Sequence, residues 1–283
     1  MHIELLDMAS RGSGPHNEDR AGSAGTLAWV IDGATDLVDA PLVGEHSDAA
    51  WLAEHTQLGL TSLHSQPFED LADLPAMISG HLSEIFAKQS RRQPAARWEH
   101  PSAAALIVRA THSELEWVSL GDCALIVETP SGISCIGVGG PDAGDSKLAS
   151  TLRQLGQRRA LSTEHERRSE LLPRLRKGRG ENLNQPGGYG VISITPPPRE
   201  LIAAGQVPVA GISHALLATD GLMRLVEIFE RHDARSLLET AKANGLASLL
   251  DELRSLEADD SDCLDHPRLK QSDDATGLLL RMS

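Results

Sequence analysis

Apolar positions along the chain fall into runs whose period switches between two, the strand signature, and about 3.6, the helix signature. Residues 2–10 and 25–31 read as strands, the second leading into Asp32-Gly33, a turn signal that puts a carboxylate at a strand tip. Apolar residues at helical spacing follow, from Val43 through Trp51, Leu52, Leu58 and Leu63, then from Leu71 through Met77, Ile78, Leu82 and Ile85. Four strands come next in close succession, 103–109, 115–120, 123–128 and 132–136, joined by short turns and predicting an antiparallel meander. Gly and Asp thicken from Gly137 to Asp145, and helical periodicity is weak up to Gly188, so about 140–190 reads as an inserted flap. Strand pattern returns at 189–195 and at 215–219, where Asp220-Gly221 repeats the earlier Asp-Gly ending. Helical patterns fill 222–231, 234–243 and 246–256, and Asp273-Asp274 opens a last strand, 275–281. Strands in meanders beside paired helices, without regular βαβ alternation, predict an α+β fold in a single domain, 1–283.

Composition narrows the function classes. Aromatics make up only 3% of the residues, so the core is expected to be aliphatic. The net charge of −14 opposes phosphate backbones, which excludes nucleic acid as the expected partner. The one basic region, from Arg153 to Arg179, is either a solvated helix face or a docking surface for an anionic substrate. Three cysteines without metal-ligand spacing suggest neither a disulfide framework nor a zinc site. The N-terminus lacks a leader pattern, and no apolar run approaches the roughly 18 residues of a membrane span, so a cytoplasmic protein without a membrane partner is expected.

Carboxylates stand beside apolar strands at five places: Glu18-Asp19, Asp32, Asp122, Asp220 and Asp273-Asp274. Antiparallel neighbours could bring such tips together, and clustered carboxylates repel unless they surround cations. An all-oxygen site without Cys or clustered His selects hard ions such as magnesium or manganese.

The motifs Asn17-Glu18-Asp19-Arg20, Ala28-Trp29-Val30-Ile31-Asp32-Gly33, Ser102-Ala103-Ala104, Leu120-Gly121-Asp122-Cys123, Leu216-Leu217-Ala218-Thr219-Asp220-Gly221 and Asp273-Asp274-Ala275-Thr276 occur in that order. Together they resemble the type 2C family of metal-dependent serine/threonine protein phosphatases. The resemblance runs from Asn17 to the C-terminus. It implies a four-layer α-β-β-α sandwich, two antiparallel sheets flanked by pairs of helices, with a dinuclear Mg2+ or Mn2+ centre at one end. It also implies a phosphoprotein substrate, a water nucleophile and a role opposing a Ser/Thr kinase. By the same resemblance Asp32 would bridge both ions with the Gly33 carbonyl on one, and Asp220 and Asp273 would hold the other. Glu18 and Asp19 would complete the shell, and Asp122 would serve a third, weaker metal position.

Three positions depart from the family pattern. Where relatives carry a phosphate-binding Arg this chain has Gly14, and Arg11, with Arg20 adjacent to the motif, is the candidate replacement. Where some relatives carry a proton-donating His it has Ala34, which leaves His16 and His46 as candidates by proximity in sequence. A further family carboxylate is replaced by Arg224. These departures keep open a catalytically weak binding or regulatory module, and the chemistry alone also admits a small phosphorylated metabolite as substrate. The Arg-rich flap, through Arg174, Arg176 and Lys177, is expected to touch an acidic or phosphorylated partner.

Overall fold

The computed structural model describes residues 3–65, 68–137 and 164–282. Among the described residues eleven strands form two antiparallel sheets. The first runs β1 (Ile3–Arg11), β11 (Ala275–Met282), β10 (His214–Ala218), β6 (Ala124–Thr129) and β7 (Gly132–Ile136). The second runs β2 (Asp19–Ala24), β3 (Leu27–Gly33), β4 (Ser102–Ala110), β5 (Glu114–Leu120) and β9 (Ala203–Pro208), with the short β8 (Ile192–Ser193) pairing β4.

Three apolar layers hold the sandwich together. Ala28, Val30, Leu106 and Val108 of one sheet meet Leu125, Val127, Leu217, Leu278 and Leu280 of the other. The opposite face of β3 and β4, with Leu27, Trp29, Ile31, Ala105 and Ile107, packs under α1 (Asp48–Leu63) and α2 (Leu74–Gln89). The outer face of the first sheet, with Ile126, Leu216 and Leu279, packs under α4 (Asp220–Glu227), α5 (Ala234–Asn244) and α6 (Leu246–Asp259). Strands covered on both faces lose the apolar/polar alternation and become continuous apolar runs, as in LAWVI of β3. The four-layer α+β sandwich expected from the sequence is present.

Four local expectations change. Asp32 and Gly33 are not a turn but the last two residues of β3, with Asp32 opposite Ala104 and Gly33 opposite Ala103. Asp220 likewise opens α4 directly, Thr219 being its N-cap. The four central strands are not one meander: β4 and β5 form a hairpin in one sheet, β6 and β7 in the other. The chain changes sheet at Gly121–Cys123, where Gly121 adopts φ +79° and a Cβ would come within 2.5 Å of the Ala104 Cβ. Two strands, β2 and β9, carry no apolar alternation. Both are sheet edges, and their residues are mostly half-buried or exposed.

Of the expected flap, about 140–190, the described part begins with α3 (Glu164–Asn182); residues 138–163 lie outside the described residues. Among the described residues no helix is long and apolar enough to cross a membrane.

Leu217 is fully buried between the sheets. Leu217→Ala should therefore cost about 2–5 kcal/mol of stability, through lost transfer energy and the cavity left behind, read from the midpoint of chemical denaturation. A loss below about 0.5 kcal/mol, the scale of surface changes, would contradict this packing.

Candidate metal centre and its cavity

Strand register explains why distant carboxylates meet. Asp19, the first residue of β2, lies directly opposite Asp32, the second-to-last of β3. Asp122 follows β5 at the change of sheet, next to Gly121, which lies against Ala104, Asp32's partner on β4, and its charge acts on Asp32. In the facing sheet Ala218 pairs Gly277, so Asp220 just after β10 and Asp273-Asp274 just before β11 emerge at one end. The two sheets are pinned there by Thr219: its Oγ1 donates to Asp19 Oδ2 at 2.8 Å and accepts from the Thr276 amide at 3.0 Å.

Asp19 is 1% exposed, and its second oxygen, Oδ1, is buried without a hydrogen-bond partner. Burial pushes its pKa well above the ordinary 3.8, despite hydrogen bonds from Thr219 and Thr276. Asp32 is also held well above 3.8, first by loss of hydration, then by the charges of Asp220, Asp19 and Asp122. Carboxylates crowded in this way repel one another unless protons or cations relieve them.

Supporting side chains fix the surroundings. Glu18 accepts from Ser47 Oγ at 2.5 Å and from Thr35 Oγ1 at 3.1 Å, and burial raises its pKa. Ser47 also caps α1 through the Ala50 amide, so the helix start positions the hydroxyl that holds Glu18. Asp274 gathers the first loop by accepting from the Ser13 amide, the Ser13 hydroxyl and the Glu18 amide. Gly33 is required by close approach: a Cβ there would lie 2.7 Å from the Glu18 carbonyl oxygen and 3.1 Å from that of Ala49.

Asp273 has a different environment. Its Oδ2 accepts from Arg224 Nη2 and its Oδ1 from Lys270 Nζ, both at 2.8 Å. Burial alone would raise its pKa, but Lys270 and Arg224 outweigh that and hold it below 3.8. Arg224 is anchored from behind by Glu257, which also binds Arg254.

Beside these groups opens a cavity of about 490 Å³ lined by Glu18, Thr35, Asp36, Lys270, Asp273 and Asp274, with His16, His46 and Arg168 also on its wall. The two imidazoles stack with centroids 4.4 Å apart. Helix α3 covers the loop after β3 with three arginines on successive carbonyls: Arg179 on Thr35, Arg168 on Asp36 and Arg176 on Leu37. Arg176 also reaches Asp39 and stacks on Trp98, so of the three flap residues expected to meet a partner it is already engaged within the chain.

The structure thus gathers Asp19, Asp32, Asp122 and Asp220, and puts Glu18, Asp273 and Asp274 on the adjoining cavity wall. Arg11 does not join them; it pairs with Asp251 on α6 at 2.6 Å. Gly14 does line the cavity, with open space where a side chain would stand. Lys270, Thr35 and Ser47 were missed by sequence reasoning. They lie in irregular segments between elements, where neither periodicity nor motif marks them.

Among the described residues no three His, Cys, Asp or Glu side chains already stand in an arrangement that would hold a metal ion. The donor chemistry nonetheless fits a hard cation at Asp19, Asp32 and Asp220: all ligands are oxygen, one buried oxygen lacks a partner, and the carboxylates press on one another. It does not fit in the same way at Asp273, whose two oxygens already meet cationic partners.

No protein-family model matches the sequence, and no curated protein is similar to it in sequence. Solved structures are similar in fold. The Mycobacterium tuberculosis serine/threonine phosphatase PstP/Ppp aligns over 100% of both chains with a TM-score of 0.59 at 15% identity. The catalytic domain of PstP in complex with two manganese ions aligns over 99% of this chain and 98% of its own, with a TM-score of 0.52 at 15% identity. The serine/threonine phosphatase Stp1 from Staphylococcus aureus aligns over 99% and 96%, with a TM-score of 0.53 at 15% identity. The fold is therefore the one these bacterial phosphatases share.

The raised carboxylates give a pH signature. The unfolded chain loses its aspartate protons near 3.8, while folded Asp19 and Asp32 keep theirs to higher pH and Asp36 to about 6. Their contribution to stability is complete below 3.8 and is lost as pH rises through the folded values. Asp273, held below 3.8, acts in a lower window and does not cancel this. In chelator, the unfolding midpoint should fall as pH is raised from 4 through 6, less steeply in Asp32→Asn; equal slopes in the two proteins would contradict the assignment.

Proposed function

We propose that this protein is a magnesium- or manganese-dependent phosphatase that hydrolyses phosphoserine and phosphothreonine in protein substrates, in opposition to a Ser/Thr kinase in the cytoplasm. The observation that carries the proposal is the meeting of Asp19, Asp32, Asp122 and Asp220, from four separate stretches of sequence, beside a cavity large enough for a phosphorylated side chain. The likeness in fold to bacterial serine/threonine phosphatases supports both the reaction and the substrate class.

In this reading Asp19, Asp32 and Asp220 would hold the cation, Asp19 through the buried oxygen that has no hydrogen-bond partner. A bound magnesium or manganese ion supplies Lewis acidity, lowering the pKa of water in its shell and offsetting phosphoryl charge. The chain's own groups do the rest. Lys270 and Arg168 place positive charge on a cavity wall otherwise rich in carboxylates, which draws a phosphomonoester to that side. Glu18, steadied by Ser47 and Thr35, is placed to orient water at the cavity floor. The stacked His16 and His46 stand on the same wall and supply the proton that the leaving serine or threonine oxygen needs, in a chain with alanine at position 34. No cysteine takes part: Cys123 is buried and its thiol pushed far up by burial, which leaves it a poor nucleophile.

A second reading, a catalytically weak binding module, is favoured by one observation, the engagement of Asp273 by two cationic side chains. Turnover separates the two. Hydrolysis of an aryl phosphate and of phosphoserine peptides should require added manganese, stop in chelator, and fall by about 10³-fold in Asp32→Asn, the loss of several kcal/mol of transition-state stabilisation. No hydrolysis of either substrate by the intact protein with manganese would reject the enzyme. Replacing both His16 and His46 with alanine should slow the peptide more than the aryl phosphate, whose leaving group needs little protonation; equal slowing of both substrates would remove the histidines from proton donation.

A further inference from the structure

The carboxylates at this end of the sandwich divide into two groups by what faces them. Asp19 keeps a buried oxygen without a partner, and Asp32 meets the charges of Asp220, Asp19 and Asp122. Asp273, by contrast, is bonded on one oxygen by a guanidinium and on the other by an ammonium. A carboxylate so engaged has little to offer a divalent ion, and an ion placed on it would be repelled by both partners.

Neither partner is loosely held. Arg224 has a side chain only 9% exposed and is fixed by Glu257, itself 1% exposed. Glu257 in turn binds Arg254, whose other nitrogen holds the Asp273 carbonyl. Lys270 is tied to Asp273 and to Thr35 Oγ1, each at 2.8 Å, and so bridges the segment before β11 to the loop after β3. Its ammonium also lies in the field of Glu18 and Asp32 and lines the cavity. A positive charge fixed on Asp273 and within the field of Asp32 is thus part of the fold.

We propose that the centre takes a single divalent cation, held by Asp19, Asp32 and Asp220, and that the Lys270 ammonium supplies the positive charge a second ion would bring. Arg224 completes the neutralisation of Asp273 from the buried side, so Asp273 acts as a positioning residue for Lys270 and not as a metal ligand. In the cavity Lys270 presents its charge to the phosphoryl group at a place no exchangeable ion needs to fill. The inference rests on the metal-dependent reading above and refines it, since it concerns how many ions bind and which charges are built in.

The test counts manganese. Equilibrium dialysis with elemental analysis, supported by calorimetric titration, should find one Mn2+ per wild-type chain. Lys270→Gln removes the cation from one oxygen of Asp273, which keeps only the Asp274 amide, and should raise the count to two; Lys270→Arg should stay at one, and Lys270→Gln combined with Asp273→Asn should return to one. A circular dichroism melt establishes that each variant is folded. Two ions in the wild type would overturn the inference while manganese-dependent hydrolysis still stood, and so would a folded Lys270→Gln that stays at one. No bound ion in the wild type, with no manganese-dependent hydrolysis, would overturn the inference and the functional reading together. The wild-type count decides against the inference even if the variants fail to fold.

Discussion

The structure is organised around mutual repulsion among carboxylates that the backbone forces together. Asp19 and Asp32 are opposite one another in a strand pair, and Asp220 and Asp122 arrive from the facing sheet and the change of sheet. Like charges confined in this way need protons or cations, and the chain provides neither to Asp19 Oδ1. Two sheets packed through an aliphatic layer supply the rigidity that holds the arrangement against its own repulsion. The hydroxyl of Thr219, tied to Asp19 in one sheet and Thr276 in the other, fixes the distance between the sheets where the repulsion is greatest.

The remaining acids at this end are relieved by other means. Asp274 accepts two amides and a hydroxyl, Glu18 two hydroxyls, and Asp273 two cationic side chains. Each solution also does structural work. Asp274 closes the loop that carries Glu18, Ser47 ties Glu18 to the start of α1, and Lys270 links the entry to β11 with the exit from β3. Helix α3 adds an arginine contact to each of three successive carbonyls of that exit, so the cavity wall is braced from the flap side.

Much of this was legible in the sequence, for a physical reason. Strands buried on both faces must be continuously apolar, so β3, β4, β6, β10 and β11 stand out, and each carboxylate at their ends is visible against that background. Edge strands such as β2 and β9 draw their order from a neighbour's backbone and left no pattern. The split of the central strands between two sheets was hidden as well, because Gly121-Asp122 reads equally as a tight turn within a sheet and as a crossing between sheets. Lys270, Thr35 and Ser47 sit in irregular loops whose partners are far away in sequence, and such pairs emerge only once the strands are in register. Arg11 was suggested by nearness along the chain, yet β1 carries it to the side of α6.

The central claim is that Asp19, Asp32 and Asp220 close on a divalent cation. Anomalous diffraction from crystals grown with manganese tests it most directly. The account predicts an anomalous peak within about 2.0–2.6 Å of oxygens from these three residues, the range for oxygen ligands of such ions. A well-ordered structure in manganese with no peak there, or with the ion elsewhere, would contradict it.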